Sequence, residues 1–263
     1  MNEKAYPLLL TGTIDSSVYN NTGNLIRDIE TRKQQYENAI ERYIKETPFT
    51  PVVFIENSGF DFNAEYFKAM AAQEGKQFEF ISGKVCVEEI VRYGKSYGDA
   101  YLIWEGLQKS ELLKEYDFFY KITGRIFLKN AKKICKTRDK YRNEFVVYSG
   151  MGWCFTNIFK ANKADYLRVL GEVFLDCDEG MVRDIEICFY RRLAASDLQL
   201  GSFETYPYFD GVMGATGRNY SGKLPERIIR NIMARMHAFA YNSAASKMIV
   251  AVMRLLGKKG YAE

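Results

Sequence analysis

PVVFIENSG (51–59) joins a short, unbroken apolar run to a polar turn. A run of this length, bounded by Pro on one side and Asn-Ser-Gly on the other, predicts a buried strand ending in a turn. Upstream, LLLTGTI (8–14) has the same form. Between the two, Leu25, Ile29, Tyr36, Ile40 and Ile44 recur at helical spacing within residues 24–46, and Pro48 and Pro51 stop that helix. Downstream, residues 63–73 predict a second helix and FEFIS (78–82) a third strand. A helix over 99–114 follows, with Asp99 placed to cap it. DFFYKI (117–122) and IFL (126–128) read as strand, interrupted at Thr123-Gly124. A basic, irregular stretch (129–142) leads to a strand at 145–149. This alternation predicts an α/β fold with a mostly parallel sheet and helices packed on it.

The second half reads differently. Helices are expected at roughly 162–175 and 180–195, then a loop rich in Gly, Tyr and Asp (200–223) and a helical tail over 224–256. The expected division is one domain, 1–222, and a basic amphipathic tail, 223–263. Five cysteines, none in a C-x-x-C pair, predict reduced thiols and a cytoplasmic location. The N-terminal residues lack the pattern of a signal peptide, and no run reaches the ~20 apolar residues of a membrane span. The one histidine, His237, excludes multi-histidine metal centres. It sits in a Met- and Arg-rich helical segment, unlike a catalytic base. Acid–base chemistry therefore falls to carboxylates, Lys or Tyr.

Ligands on parallel sheets bind where the strands end. That singles out Thr11-Gly12-Thr13, Asn57-Ser58-Gly59 and Lys121-Ile122-Thr123-Gly124-Arg125. Polar, Gly-containing turns let backbone N–H groups approach a phosphate or a base. Lys121 and Arg125 could neutralise a diphosphate, or be solvated charges at a strand edge. Glu186 falls inside the apolar stripe Val182, Ile185, Phe189 and Leu193, so it is either used or held in a buried salt bridge. Asp184, the second candidate catalytic carboxylate, reads as a solvated partner beside Cys188 and Arg191. Residues 208–220, with Asp210, Gly211, Arg218 and Tyr220, form either a loop closing over a ligand or a plain connection. From Ser221 to Glu263 eight Lys or Arg stand against two acids, on a segment whose Ile228, Ile229, Ile232, Met233, Met236, Phe239 and Ala240 share a side. Such a helix suits an anionic membrane surface through 224–259, or packs on the domain. No nucleic-acid motif is present.

Three stretches carry a resemblance. FIENSGFDFN looks like the second-strand turn of GT-A-type glycosyltransferases. GKSYGDAYLIWEGLQKS, then EYDFFYKITGR, is similar to that family's Gly-initiated helix and following strand. GWCFTNIFKANKADYL, DIEICFYRRL and YFDGVMGATGRNY resemble small bacterial enzymes of capsule and lipopolysaccharide assembly. The resemblance implies a Rossmann-type sheet, a nucleotide diphosphate sugar as donor, and a glycan or lipid-linked acceptor at the inner membrane face. It places the nucleotide over Thr11–Thr13 and Asn57–Gly59, with Gly98 nearby. On this reading Lys121 and Arg125, flanking Thr123 and Gly124, bind the diphosphate, and Glu186 is the carboxylate near the acceptor, acting as base if the reaction inverts at the sugar carbon. One departure matters. Where the family commonly carries Asp-x-Asp for a divalent metal, this chain has Lys121-Ile122-Thr123-Gly124-Arg125. No cofactor is therefore called for, and a role for Mn²⁺ or Mg²⁺ is left open. Two alternatives stand beside this reading: a nucleotidyltransferase of sugar activation, and a non-catalytic scaffold binding membrane or protein.

Overall fold

The computed structural model describes residues 5–21, 25–137, 139–212, 217, 219–220 and 224–255. In chain order, β1 (Leu8–Gly12), α1 (Ile29–Glu46), β2 (Val52–Glu56), α2 (Ala64–Gln73) and β3 (Phe78–Ser82) come first. Then come α3 (Val87–Tyr93), α4 (Lys95–Lys109), α5 (Glu111–Lys114), β4 (Phe118–Thr123) and β5 (Phe127–Leu128). The next group is α6 (Ala131–Lys136), β6 (Asn143–Tyr148), β7 (Trp153–Asn162), α7 (Lys163–Val169) and α8 (Ile185–Ala195). The last is β8 (Leu200–Gly201), β9 (Phe209–Asp210), α9 (Leu224–Arg235) and α10 (Ala244–Leu255).

The fold is α/β, as the alternation predicts. Seven strands form one sheet in the order β3-β2-β1-β4-β7-β6-β8, and β5 and β9 form a second, two-stranded one. β1 pairs in parallel with β2 on one side and with β4 on the other. β7 is antiparallel to both β4 and β6, so it alone runs against the rest of the large sheet. Parallel strands buried on both faces are apolar at every position, and Leu8, Leu9 and Leu10 are fully buried. Leu8, Leu10, Val52, Phe54 and Ile122 face one core layer with Tyr36, Ile40 and Ile44 of α1 and Phe67 of α2. Leu9, Val53, Ile55 and Phe119 face the other, with Ala100, Ile103 and Leu107 of α4 and Phe189 of α8.

Several boundaries differ from expectation. α1 begins at Ile29 because the Asp28 side chain accepts from Thr31 N and caps it there. α4 begins at Lys95, so Asp99 lies inside the helix rather than at its cap. Gly94, at φ +96°, starts α4 instead, and Gly98 sits within the first turn. α3, α6 and the whole of β7 lie where no element was expected. The second expected helix starts at Ile185, capped by Asp184, which leaves Val182 outside it, exposed, with φ +55°. The tail is two helices. Between them Ala238, Phe239 and Ala240 are buried, and Phe239 O accepts from Val147 N at 2.9 Å.

Gly12 closes β1 where no side chain fits: a Cβ there would lie 2.6 Å from Tyr36 Cε1 and 2.7 Å from Phe54 Cε2. Both rings are anchored in the core. Gly12→Ala is expected to destabilise the protein by about 1–3 kcal/mol, read as a lower urea midpoint at unchanged m-value.

Candidate active site

The strand ends open into a cleft of about 830 Å³. Thr11, Gly12, Thr13, Asn57, Gly98, Lys121, Thr123, Arg125, Asp184, Glu186 and Tyr220 all line it. Residues singled out one by one along the sequence are thus brought together, at the C-terminal edges of β1, β2 and β4.

The floor on the β1–β2 side is fixed by hydrogen bonds. Glu56 is 1% exposed, and its carboxylate accepts from Ile14 N at 2.7 Å and from Ser58 N at 2.9 Å. Thr13 Oγ1 donates to Asn57 Oδ1 at 2.6 Å, and Thr13 N donates to the Tyr36 hydroxyl at 3.0 Å. Arg32 donates from Nε to Ile14 O at 2.9 Å and reaches Thr13 O as well. The turn after β1 is therefore held from beneath before any ligand arrives. Ser58 and Gly59 do not line the cleft, and Ser58 Oγ accepts from Asp15 N at 3.0 Å. Gly124 likewise packs behind it, its N–H donating to Thr11 O at 2.8 Å.

The opposite wall carries the charges. Lys121 is 2% exposed, so it is no solvated strand-edge charge. Alternation along β4 sends it to the same face as Phe119, toward α4 and α8. Its Nζ donates to Thr156 O at 3.0 Å. Burial pushes the Lys121 ammonium down to about 8, while Asp99 and Glu186 act to raise it. It is still protonated at neutral pH. Glu186 opens α8, where its Oε1 accepts from Thr156 Oγ1 at 2.9 Å. Burial pushes its carboxyl up to about 7, and the neighbouring Asp184 adds to this. Thr156, which sequence reasoning passed over, touches both groups. Asp184 is not a solvated partner on a far face. It caps α8, with Oδ1 accepting from Ile187 N at 2.9 Å, and lines the cleft.

Arg125 also lines the cleft, and its guanidinium donates to Val212 O. Thr123 Oγ1 donates to Asn157 Oδ1 at 3.0 Å, and Asn157 Nδ2 donates to the Tyr220 hydroxyl at 2.9 Å. Tyr220 thus ties the end of the 208–220 loop to the sheet. Asp210 and Gly211 do not line the cleft: Asp210 forms an ion pair with Arg42 at 3.0 Å. Arg218 lies outside the described residues. Lys95, Ser96 and Glu179 are cleft residues that the sequence did not single out, and Asp99, read there as a helix cap, lines the cleft as well. Glu179 reaches the start of α4, where Ser96 donates to it from N at 3.0 Å and from Oγ at 2.7 Å.

Asp99, Asp184 and Glu186 approach one another without converging on a single point. Among the described residues no group of three or more His, Cys, Asp or Glu side chains could hold a metal ion.

No known protein family matches the sequence, and no curated protein does. Solved structures share the architecture distantly. A nucleotide-diphospho-sugar transferase of Desulfovibrio desulfuricans G20 superposes at TM-score 0.46 and 12% identity, covering 76% of this chain and 79% of that one. The mannosyltransferase Ktr4p of S. cerevisiae superposes at 0.44 and 12%, over 80% and 71%. The bifunctional glycosyltransferase WbbM superposes at 0.45 and 12%, over 92% of this chain and 46% of that one.

Glu186 makes stability depend on pH. Its carboxyl ionises near 4.5 when unfolded and near 7 when folded. Between those values the folded state binds more protons, so stability falls as pH rises through this window. The loss is on the order of 2 kcal/mol, discounted because the group faces an open cleft. Urea titrations at pH 5 and pH 8 should show that fall in the native protein. Glu186→Gln, which can still accept from Thr156, should show a smaller fall, the remainder coming from Glu144, whose carboxyl burial also raises to about 7.

Proposed function

We propose that this chain is a glycosyltransferase that moves a sugar from a nucleotide diphosphate sugar to a glycan hydroxyl. The observation that carries the reading is the buried Lys121 ammonium beside the Glu186 carboxyl, held by one residue, Thr156, where the parallel strands end. The nucleoside lies against Thr11, Thr13 and Asn57, and the diphosphate meets Lys121 and Arg125. As the bond from the anomeric carbon to the diphosphate oxygen breaks, those two cations take up the developing negative charge. Glu186 accepts the proton of the attacking hydroxyl, and a pKa near 7 suits a base at neutral pH. Metal independence is part of the proposal, because cations of the chain occupy the diphosphate's place.

The acceptor we assign is lipid-linked, of the kind used in bacterial capsule or lipopolysaccharide assembly, with the enzyme held at the inner membrane face by α9 and α10. Support comes from the way α9 is turned. Arg227 and Arg230 lie over the rings of Tyr208 and Tyr206, at 4.5 and 5.2 Å, while Leu224, Ile228, Ile229, Ile232 and Met236 are exposed. Met248, Val252 and Leu255 of α10 are exposed as well. Apolar faces of this size on a basic segment fit an anionic interface. No described helix is long and apolar enough to cross a membrane.

Two measurements test these readings. In a thermal-shift screen with EDTA, one of UDP, GDP or CDP should raise the melting temperature. Lys121→Met and Arg125→Ala should each lose that shift. A shift that requires Mn²⁺ would overturn metal independence, and no shift from any nucleotide would sink the transferase. In co-sedimentation with phosphatidylglycerol vesicles the protein should pellet, and the double variant Ile228→Asp/Ile232→Asp should stay in the supernatant. Equal partition of both proteins would remove the membrane assignment.

A further inference from the structure

A second pocket of about 450 Å³ opens beside the cleft. Tyr148, Met151, Trp153 and Asp184 line it, and Trp153 and Asp184 belong to both spaces. Its size is within the range of small-molecule sites. It is built on the β6–β7 hairpin, where Tyr148 and Trp153 are register partners and Gly152, at φ +65°, completes the turn. The two rings sit 5.4 Å apart at 57°, and Trp153 also leans on Phe155 at 6.0 Å. The Tyr148 hydroxyl is engaged with that of Tyr206 at 2.7 Å, so Tyr148 offers this pocket mainly its ring.

The chemistry of the two spaces differs. The cleft is lined by Arg27, Arg32, Lys95, Lys121 and Arg125, which suits a polyanion. Among the described residues no cation lines the second pocket. A diphosphate there would have nothing to offset its charge. What the pocket offers is a half-buried indole, a thioether and one carboxylate. Asp184 spends Oδ1 on the N–H of Ile187, and its other oxygen accepts no hydrogen bond among the described residues. An aromatic face with an adjacent acceptor is matched by a neutral ring that has an apolar C–H face and hydroxyls on its rim. Asp184 lies close enough to Glu186 to raise its pKa, so a ring held here sits next to the base. The outer rim abuts α10: a Cβ on Gly150 would come within 2.5 Å of Met253 Sδ.

From this we infer that the Trp153 pocket is the acceptor subsite, taking a neutral pyranose stacked on the indole with a hydroxyl donated to Asp184. The inference rests on the transferase reading and names the residues that present the nucleophile. A lipid-linked glycan and a free sugar share this ring chemistry. For the lipid-linked form, the rest of the acceptor leaves along α10, whose exposed Met248, Val252 and Leu255 would meet its apolar part.

The test is saturation-transfer NMR on the full chain with methyl β-glucoside, β-galactoside, β-N-acetylglucosaminide and α-rhamnoside, with nucleoside diphosphate stabilisation measured in parallel. At least one pyranoside should receive saturation at its ring protons. Trp153→Ala should weaken that binding about tenfold. Asp184→Asn, which keeps the helix-capping oxygen and so guards against a folding defect, should weaken it severalfold. Both variants should keep the nucleotide shift. Binding that survives both substitutions, or no pyranoside binding in a protein that does bind nucleotide, overturns the subsite alone. A protein that binds no nucleotide overturns the transferase reading beneath it.

Discussion

A carboxylate with almost no contact with water has to be satisfied by the chain around it, and Glu56 is such a group. It ends β2, yet its partners are the backbone N–H of Ile14 beyond β1 and the N–H and hydroxyl of Ser58 beyond β2. Two neighbouring strand ends are locked to each other through one side chain. The cleft depends on that lock, because Thr13 and Asn57 meet across it. Arg32 adds a second tie by gathering the carbonyls of Thr13 and Ile14. The result is a rigid floor built before any ligand is present, which lowers the ordering cost of binding.

The other side of the cleft is costly to maintain. Lys121 is withdrawn from water and Glu186 is half-buried in the cleft wall, and burial drives each toward its neutral form. Thr156 serves both, through its carbonyl and its hydroxyl. A fold optimised for stability alone would place apolar side chains here. Strain of the same kind shows at Val182, a β-branched residue with φ +55° at the cleft's edge.

Much of the first half was legible from the sequence. Short apolar runs closed by Gly- and Asn-containing turns gave β1, β2 and β3 closely, because a parallel strand buried on both faces leaves that mark. β7 did not show. Its first half alternates, but from Ile158 to Asn162 every residue is buried, and the period dissolves where Lys160 and Asn162 go inside with their neighbours. The start of α4 was missed for a different reason. Glu179 supplies the groups that satisfy it, from far along the chain, and no local pattern reports a distant partner. Glu186 was found through an apolar stripe that wrongly counted Val182 as helical, while Lys121 and Arg125 were found by position. Thr156 and Asn157 carry no signal a single sequence would reveal, since their role is set by which strands become neighbours.

The sheet order also bears on how the chain is made. β1 lies between β2 and β4, but β4 follows it on the order of a hundred residues later. At about 5–20 residues per second, a ribosome would leave one edge of Leu8–Thr11 without its partner for roughly ten seconds. Three of its four side chains are leucines and it carries open backbone donors and acceptors, the combination that invites pairing with another chain. An interior strand of the finished sheet, beside its centre, is thus the one exposed longest during synthesis, and a cell making it in quantity would need to shield the nascent chain.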